Sequence, residues 1–519
     1  MLIPHMENKN QAFTTKAILA FTLIVFIFSF LSSCKKSRSD LGKILYTETG
    51  NKVFKNIEND AFIDVFKQTL EAQKSSLGNP KMITSFYEKN NFEPVLVQEH
   101  VQKGGLKTVL SYFQRSAEHG IDPELFRSAA YQTLVDKVYD KTGVKSIEEA
   151  YQDIAKLEIM TANSLINYSN ALQYGVLSPK RIYGAYFTDT KRPDSAAIAQ
   201  VLALKDVKIF LERIQPKDPA YLALQKVLKE GGTAPGISKE ETQKILKVNL
   251  ERLRWKNKPT GDKYVLVNIA DYKLDVVENG KSVLNMKVCV GEGRNKDFAD
   301  NLQEYDENDL KKDRPFSRET PQLNSMIHSV QVNPVWNIPE SIATNEITKS
   351  AAADKYYLSS HNIDVFENGK KIEDTETIDW SQGNPGKKYL FKQRPGEDNS
   401  LGKIKFLFNN QSAVYLHDTP AKAAFKLSMR AVSHGCVRLE KPLEFAHALF
   451  GEGDKYEQIK KQMSDTVAVA TNISLPKQVP VYLTYVTSWV DPNGVVQVRK
   501  DVYGLDIVLY TYLQKMRAV

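Results

Sequence analysis

The chain has 519 residues, 42% of them apolar, enough for more than one domain with a sizeable core. Its net charge of +8 is modest and diffuse: it suits an anionic surface such as a cell wall or membrane, or simply a solvated basic exterior, and with no nucleic-acid motif beside it nucleic acid is excluded as the expected partner. No internal repeat or low-complexity tract stands out.

Lys9 and Lys16 precede an apolar run from Ala17 to Phe30, too short for a comfortable membrane span and right for a signal-peptide core. It ends in Leu31-Ser32-Ser33-Cys34, which resembles a bacterial lipobox; that resemblance implies cleavage before Cys34 and lipid on its sulfur. The expectation is a signal peptide over 1–33, a polar, basic tether over 34–58 and a periplasm-facing lipoprotein held to a membrane by acyl chains, inner or outer unassigned. Only Cys289 and Cys436 then remain. Cys289, in Val288-Cys289-Val290, is expected to be buried on a strand. No second cysteine lies at ligand spacing from either, so neither a metal site nor a cofactor is predicted.

From 59 to 252 the pattern is helical, and a scaffold role is expected for it. Ser146 with Glu149 forms a capping-box pair, and Ile154, Leu157, Thr161, Leu165, Tyr168 and Leu172 recur at three- and four-residue intervals. Ile147 to Tyr174 is therefore predicted as one long helix closed by Gly175, with further helices over Ala197 to Ile214 and Pro219 to Lys229.

Beyond 252 the pattern becomes sheet. Tyr264 to Ile269, Lys273 to Val277 and Leu284 to Val290 read as strands, the last two joined by a hairpin turn at Glu278-Asn279-Gly280-Lys281. A charged loop from Gly291 to Arg318 lacks the helix and spacing of a dinucleotide site. Between Pro339 and Gly386 the strand pattern breaks into a polar insertion with a helix over Glu340 to Ala353; a long insertion between core strands is often a lid. Near the end, Val479 to Val486 and Val495 to Val498 are predicted to pair as a hairpin across Asp491-Pro492-Asn493-Gly494, and Tyr503 to Leu513 to form a helix.

The chemistry concentrates between Tyr415 and Arg438. Cys436 follows Gly435; His434 stands two residues before it and His417 nineteen before it. A thiol with its ordinary pKa of about 8.5 is mostly protonated at neutral pH, so attack on a carbonyl requires a neighbouring base or a positive potential. Either histidine can serve. Ser412 to Leu416 reads as a strand and Glu440 to Phe450 as a helix, which puts Cys436 on a turn entering a helix, where free N–H groups would stabilise a thiolate and an oxyanion. Gly435 supplies the backbone freedom such a turn needs. Tyr415 and His417, two apart on one strand, should face the same side.

The run Ser433-His434-Gly435-Cys436-Val437-Arg438, preceded by His417-Asp418-Thr419-Pro420, resembles the active-site signature of the L,D-transpeptidases, the thiol enzymes that cross-link peptidoglycan. Asp418, where many members have glycine, is similar to the branch of large multidomain periplasmic enzymes. Arg318-Glu319-Thr320-Pro321, Asn333 to Pro339, Arg394-Pro395-Gly396 and Leu401 to Phe406 fall in that branch's order. The resemblance covers roughly 249 to 510. It implies an α+β chain: a helical N-terminal scaffold, a mixed β-sandwich catalytic domain over 253–475 with a capping insertion at 339–386, and a C-terminal hairpin and helix over 476–519. It further implies Cys436 as nucleophile and His417 as base, with His434 and Gly435 in the catalytic set and His434 either orienting another group or contacting substrate. Arg438, Tyr415, Ser433 and Trp336 are the expected substrate contacts. The implied partners are peptidoglycan stem peptides, and the implied reaction moves an acyl group from a stem tetrapeptide to an amine. Carbapenems, the β-lactam class that acylates this family, are the implied inhibitors. A hydrolase with water as acceptor, or a non-catalytic wall-binding lipoprotein, are the alternatives.

Overall fold

The computed structural model describes residues 41–255, 257, 259–293, 318–465 and 468–516. The predicted signal peptide, Cys34 and most of the loop between Gly291 and Arg318 lie outside the described residues. The chain divides into two compact units: residues up to 106 with 131–161, and residues 107–130 with everything from 162 onward. The cut falls elsewhere than at the expected boundary near 252, because residues 162–255 share a core with the large sheet. Ile182, Tyr183, Tyr186, Val248 and Trp255 pack with the sheet's own Val265, Val267 and Leu274.

In the first unit, part of the expected tether is folded. Leu41–Thr49 is a helix that buries Leu41 and Leu45, so the polar reading of 34–58 holds no further than residue 40. Apolar residues four apart on a helix share a face, and that face is used here for packing. Phe62, Phe66 and Tyr87 fill the core around a fully buried Glu158, whose carboxylate accepts the Tyr87 hydroxyl at 2.7 Å and the Leu96 and Val97 N–H groups at 2.9 and 2.6 Å. The long helix runs from Ile147 to Tyr174 as predicted. Ser146 Oγ accepts the Glu149 N–H at 3.2 Å, while the Glu149 carboxylate reaches back to the Lys145 N–H at 2.7 Å, one residue beyond the usual box partner.

In the second unit, the predicted helix over 197–214 is two, Ser195–Leu202 and Val207–Arg213, the second begun afresh by Asp206, which accepts the Ile209 N–H. Helix Lys239–Arg254 packs on the C-terminal helix Leu505–Lys515, which starts two residues later than predicted. Arg252 pairs there with buried Asp506, and Thr487 donates to the same carboxylate at 2.6 Å.

The strands are β1 Lys263–Asn268, β2 Lys273–Glu278, β3 Lys281–Gly291, β4 Leu323–Val332, β5 Trp336–Ile338, β6 Ile363–Glu367, β7 Lys370–Ile372, β8 Leu390–Gln393, β9 Ile404–Phe408, β10 Leu416–His417, β11 Ala431–Ser433, β12 Val437–Leu439 and β13 Thr471–Thr484, with a short pair β14 Ser488–Val490 and β15 Val496–Val498. Nine form one mixed sheet in the order β11-β3-β12-β10-β9-β4-β13-β1-β2, and β2 also pairs with β3. The strand-rich domain expected after the helical region is present, its strands coming round so that β2 meets β3. Asn279 and Gly280, both at positive φ, make the predicted β2–β3 turn.

Two local expectations change. Val479 to Val486 does not form the C-terminal hairpin: β13 lies inside the sheet, antiparallel to β4 and parallel to β1, and β14 takes its place opposite β15. The alternating burial of β13's second half fits a strand with one face on the core. Ser412 to Val414 is a turn, with Asn410 Oδ1 accepting the N–H groups of Ser412 and Val414 and with Ala413 at φ +51°, so strand pairing begins only at Leu416.

The insertion between β5 and β8 has its own four-stranded sheet, β5-β8-β6-β7, and its own core, in which Trp380 packs on Tyr389 and Phe391. The predicted helix from Glu340 to Ala353 is present, interrupted by a π turn at Ala343–Ile347.

Candidate active site

Strands β9, β10 and β12 lie side by side and bring the candidate residues together. His417 pairs with Arg438 on the parallel neighbour β12 and with Lys405 on the antiparallel neighbour β9. Residues paired in register point to one face of a sheet, so Lys405, His417 and Arg438 form a row across three strands. Cys436 precedes Arg438 by two residues and Tyr415 precedes His417 by two, which brings them to the same side. That side opens into a cleft of about 610 Å³, whose lining includes Cys436, His417, His434, Arg438, Tyr415, Ser433 and Trp336. All the proposed catalytic and substrate side chains except glycine's absent one thus meet in one place.

Cys436 does not enter a helix. It leads into β12, and the helix starts only at Pro442, so the N-terminal dipole expected at the thiol is missing. The physical reason is local: Val437 and Leu439 are both buried while Arg438 between them is not, the alternation of a strand, and Pro442 fits the first turn of a helix. What shapes the turn instead is a hydrogen-bonded scaffold. Gly435 sits at φ +110°, a conformation closed to residues with a Cβ, although the space beside it is open to 3.5 Å. Ser433 Oγ accepts the Gly435 N–H at 3.2 Å and donates to the Cys436 carbonyl at 2.6 Å. Ser433 is therefore a turn-former as well as part of the cleft wall, its hydroxyl buried and engaged within the turn. Thr320 Oγ1 donates to the Gly435 carbonyl at 2.7 Å and accepts the Gly291 N–H at 2.8 Å, while the Tyr503 hydroxyl donates to the Gly291 carbonyl at 2.8 Å.

His417 is 4% exposed and its Nδ1 lies 2.5 Å from the Asp418 carbonyl oxygen. A carbonyl only accepts, so Nδ1 carries the proton and Nε2 presents a lone pair, the tautomer a base requires. Burial, then the Arg438 charge, push its pKa down to about 4, so the ring is neutral over the physiological range. Asp418 is fixed in turn: its carboxylate accepts the Lys403 N–H at 2.9 Å and pairs with Lys422 at 2.5 Å. The Tyr415 ring stands edge-on to His417, centroids 5.7 Å apart.

Burial pushes the Cys436 thiol up to about 11, opposed by Tyr415 and by the charges of Arg438 and Lys405. In the resting protein the proton stays on sulfur. Cys289, by contrast, is fully buried on β3 as predicted, and burial raises its thiol too.

His434 is turned to the insertion. Its Nε2 lies 2.6 Å from Glu346 Oε1 on the π turn, and the same carboxylate oxygen accepts from Arg318 at 2.8 Å, with Arg318 also holding Glu292. His434 thereby links the catalytic segment to the insertion while still lining the cleft. Trp336 begins β5 and contacts Tyr415, and Ile342, Asn345 and Tyr357 complete that wall of the cleft. Arg438 makes no ion pair among the described residues, and its buried Nε has no hydrogen-bond partner. Sequence reasoning does not single out Lys405, Glu346 or Thr320 as site residues. Their positions depend on strand pairing and long-range packing, which no local spacing discloses. His328, His361 and His447 do not line the cleft. Among the described residues no group of His, Cys, Asp and Glu is arranged to hold a metal.

A neutral imidazole on β10 and a thiol on the turn entering β12 meet in one cleft walled by the folded insertion. Residues 262–455 match the YkuD family, the L,D-transpeptidase catalytic domain, and residues 81–228 match the Scaffold domain. The chain thus carries a YkuD, L,D-transpeptidase catalytic domain behind a Scaffold domain. It is 26% identical over 483 residues to a Haemophilus influenzae protein named "Putative L,D-transpeptidase", covering 91% of this chain and 90% of that one. A solved L,D-transpeptidase from Mycobacterium smegmatis is 12% identical, with 43% of this chain and 58% of that chain covered and a TM-score of 0.20, too low to inform the fold.

Proposed function

We propose that the protein is a peptidoglycan L,D-transpeptidase that works by cysteine acyl transfer. Cys436 attacks the carbonyl of the third, diamino residue of a stem tetrapeptide; its proton passes to His417 Nε2, the C–N bond to the terminal D-alanine breaks, and His417 returns the proton to the departing amine. The side-chain amine of a second stem then attacks the thioester, its proton is taken by His417, and the thiol is restored with a cross-link between the third residues of two stems. Splitting one exchange into two lowers each barrier. Gly435 N–H is committed to Ser433, which leaves the Cys436 N–H as the turn's donor to the oxyanion, and such a donor is typically worth about 10²-fold or more. Arg438, charged and unpaired, suits a substrate carboxylate.

The observation that carries this reading is the convergence of Cys436, the Nδ1-protonated His417 and unpaired Arg438 in one cleft. We place the enzyme in the cell envelope, facing the periplasm and tied to a membrane through lipid on Cys34. The test is to incubate the chain without residues 1–33 with a disaccharide tetrapeptide and analyse the muropeptides. Dimers with released D-alanine are expected, and none with Cys436→Ala. Tripeptide alone would replace this reading with a hydrolase, and no turnover would overturn it.

A further inference from the structure

The cross-strand row at the site carries two cations and no anion to match them. Lys405, half-buried on β9, has the Tyr415 ring under its ammonium at 5.5 Å and no carboxylate partner among the described residues. Arg438, at the other end of the row, is likewise unpaired. Cations withdrawn from water are retained where a negative charge is present or arises during function. The charged and titratable groups around the thiol and His417 are Lys405 on β9, which pairs in register with His417; Tyr415, His417 and the adjoining Asp418, itself held by Lys422; and Arg438 from β12, with His434 and Glu346 at the mouth. The Glu346 carboxylate is already shared by His434 and Arg318. The negative charge this row can meet from within the protein is the Cys436 sulfur once it has given up its proton.

We propose that the Lys405 ammonium is a positioning charge for the reaction: it stabilises the Cys436 thiolate as it forms and discourages His417 from keeping the proton it receives. The inference rests on Cys436 being the attacking group. In a thiolate–imidazolium pair the base holds the proton and its charge steadies the sulfur. Here the two tasks are divided. Lys405 and Arg438 favour the thiolate and disfavour the imidazolium, since both charges depress the Cys436 and His417 titrations alike. Burial lowers the ammonium's own pKa and the Cys436 charge restores it, the reciprocal of the same attraction. The proton leaves Sγ as the Sγ–C bond forms, rests on His417 Nε2, and is passed to the leaving amine as the C–N bond breaks. A His417 that binds protons weakly hands this one on readily.

The test is the titration of Cys436 followed through its alkylation rate in the full chain, with Cys436→Ala as background and unfolding midpoints as a check on folding. Lys405→Met should raise the thiol's titration by about one unit, seen as roughly tenfold slower alkylation at any pH below it, and Lys405→Arg should restore it. Lys405→Gln, which keeps a polar head, replaces the methionine variant if that does not fold. The His417 ring, followed by NMR, should titrate at higher pH in the neutral variants, a change that loss of packing alone would not produce. Neutral variants that titrate as the wild type at both groups would overturn the proposal. A thiol that responds to Lys405 in a protein that forms no acyl-enzyme would instead overturn the transpeptidase reading while leaving this assignment in place.

Discussion

Thr320 ties the catalytic turn to the sheet, and Thr320→Val removes that tie while conserving shape. The residue is 1% exposed, and its hydroxyl both accepts the Gly291 N–H at 2.8 Å and donates to the Gly435 carbonyl at 2.7 Å. Valine fills the same volume, so no cavity term enters, and both backbone groups lose their partner in a buried place. An unsatisfied buried polar group costs about 1–3 kcal/mol, which for the pair gives a loss of stability of roughly 2–6 kcal/mol. The backbone N–H of Thr320 still donates to the Tyr503 hydroxyl, so the segment itself should stay in place. The released Gly435 carbonyl loosens the turn that aims Cys436, and the proposed acylation of Cys436 by a stem tetrapeptide should slow by at least about tenfold, as small misplacements at a reacting centre do. Urea unfolding and the rate of acyl-adduct formation by mass measure the two effects. Thr320→Ser, which keeps the hydroxyl, should stay close to wild type in both. A valine variant with the wild-type midpoint and acylation rate would refute the turn's dependence on this residue.

The same geometry makes other outcomes testable. At Gly402, with φ +61°, a Cβ would lie 2.4 Å from Asp418 Oδ2; Gly402→Ala should displace Asp418 and the carbonyl that fixes His417, lowering acylation more than overall stability, as kinetics beside thermal melts would show. Because His417 titrates at about 4, not 6.5, acylation should persist on acidification until pH approaches about 4; an acid limb near 6.5 would contradict the buried neutral base. Between those values the unfolded chain binds a proton at this position that the folded chain refuses. The histidine's contribution to stability is therefore complete above 6.5 and falls as pH drops toward 4, and the stability difference between wild type and His417→Asn should shrink over that window. Glu346→Ala cuts the link from the insertion to His434 and Arg318. With both carboxylate and histidine partly exposed, the stability loss should stay within about 1 kcal/mol, while KM for the donor rises more than kcat falls.

How much of the molecule is legible in its sequence depends on the range of the interaction. The helix Ile147–Tyr174 is legible because its apolar spacing, Ser146 cap and Gly175 stop all lie within the segment. Cys436 and His417 are legible because their residue types recur in a short run that resembles a known signature. The strand after Cys436 is not, because Val437–Leu439 is too short to show strand periodicity, and it pairs with β10 and β3 only in the folded chain. Likewise the apolar run before Thr484 fits a hairpin arm or an interior strand equally well, and register with β4 and β1 decides. Lys405 lies twelve positions before His417, and nothing in that spacing shows that the two pair across neighbouring strands. Glu346 meets His434 across 88 residues, a contact made by the insertion's own fold.

The central claim is that Cys436 carries the acyl group. Digestion and peptide mass mapping after brief incubation with a disaccharide tetrapeptide tests it directly. A thioester-linked acyl group, short of one D-alanine, is expected on the peptide containing Cys436, with buried Cys289 unmodified and no adduct in Cys436→Ala. An adduct at any other residue, or cross-linked product from the Cys436→Ala chain, would contradict it.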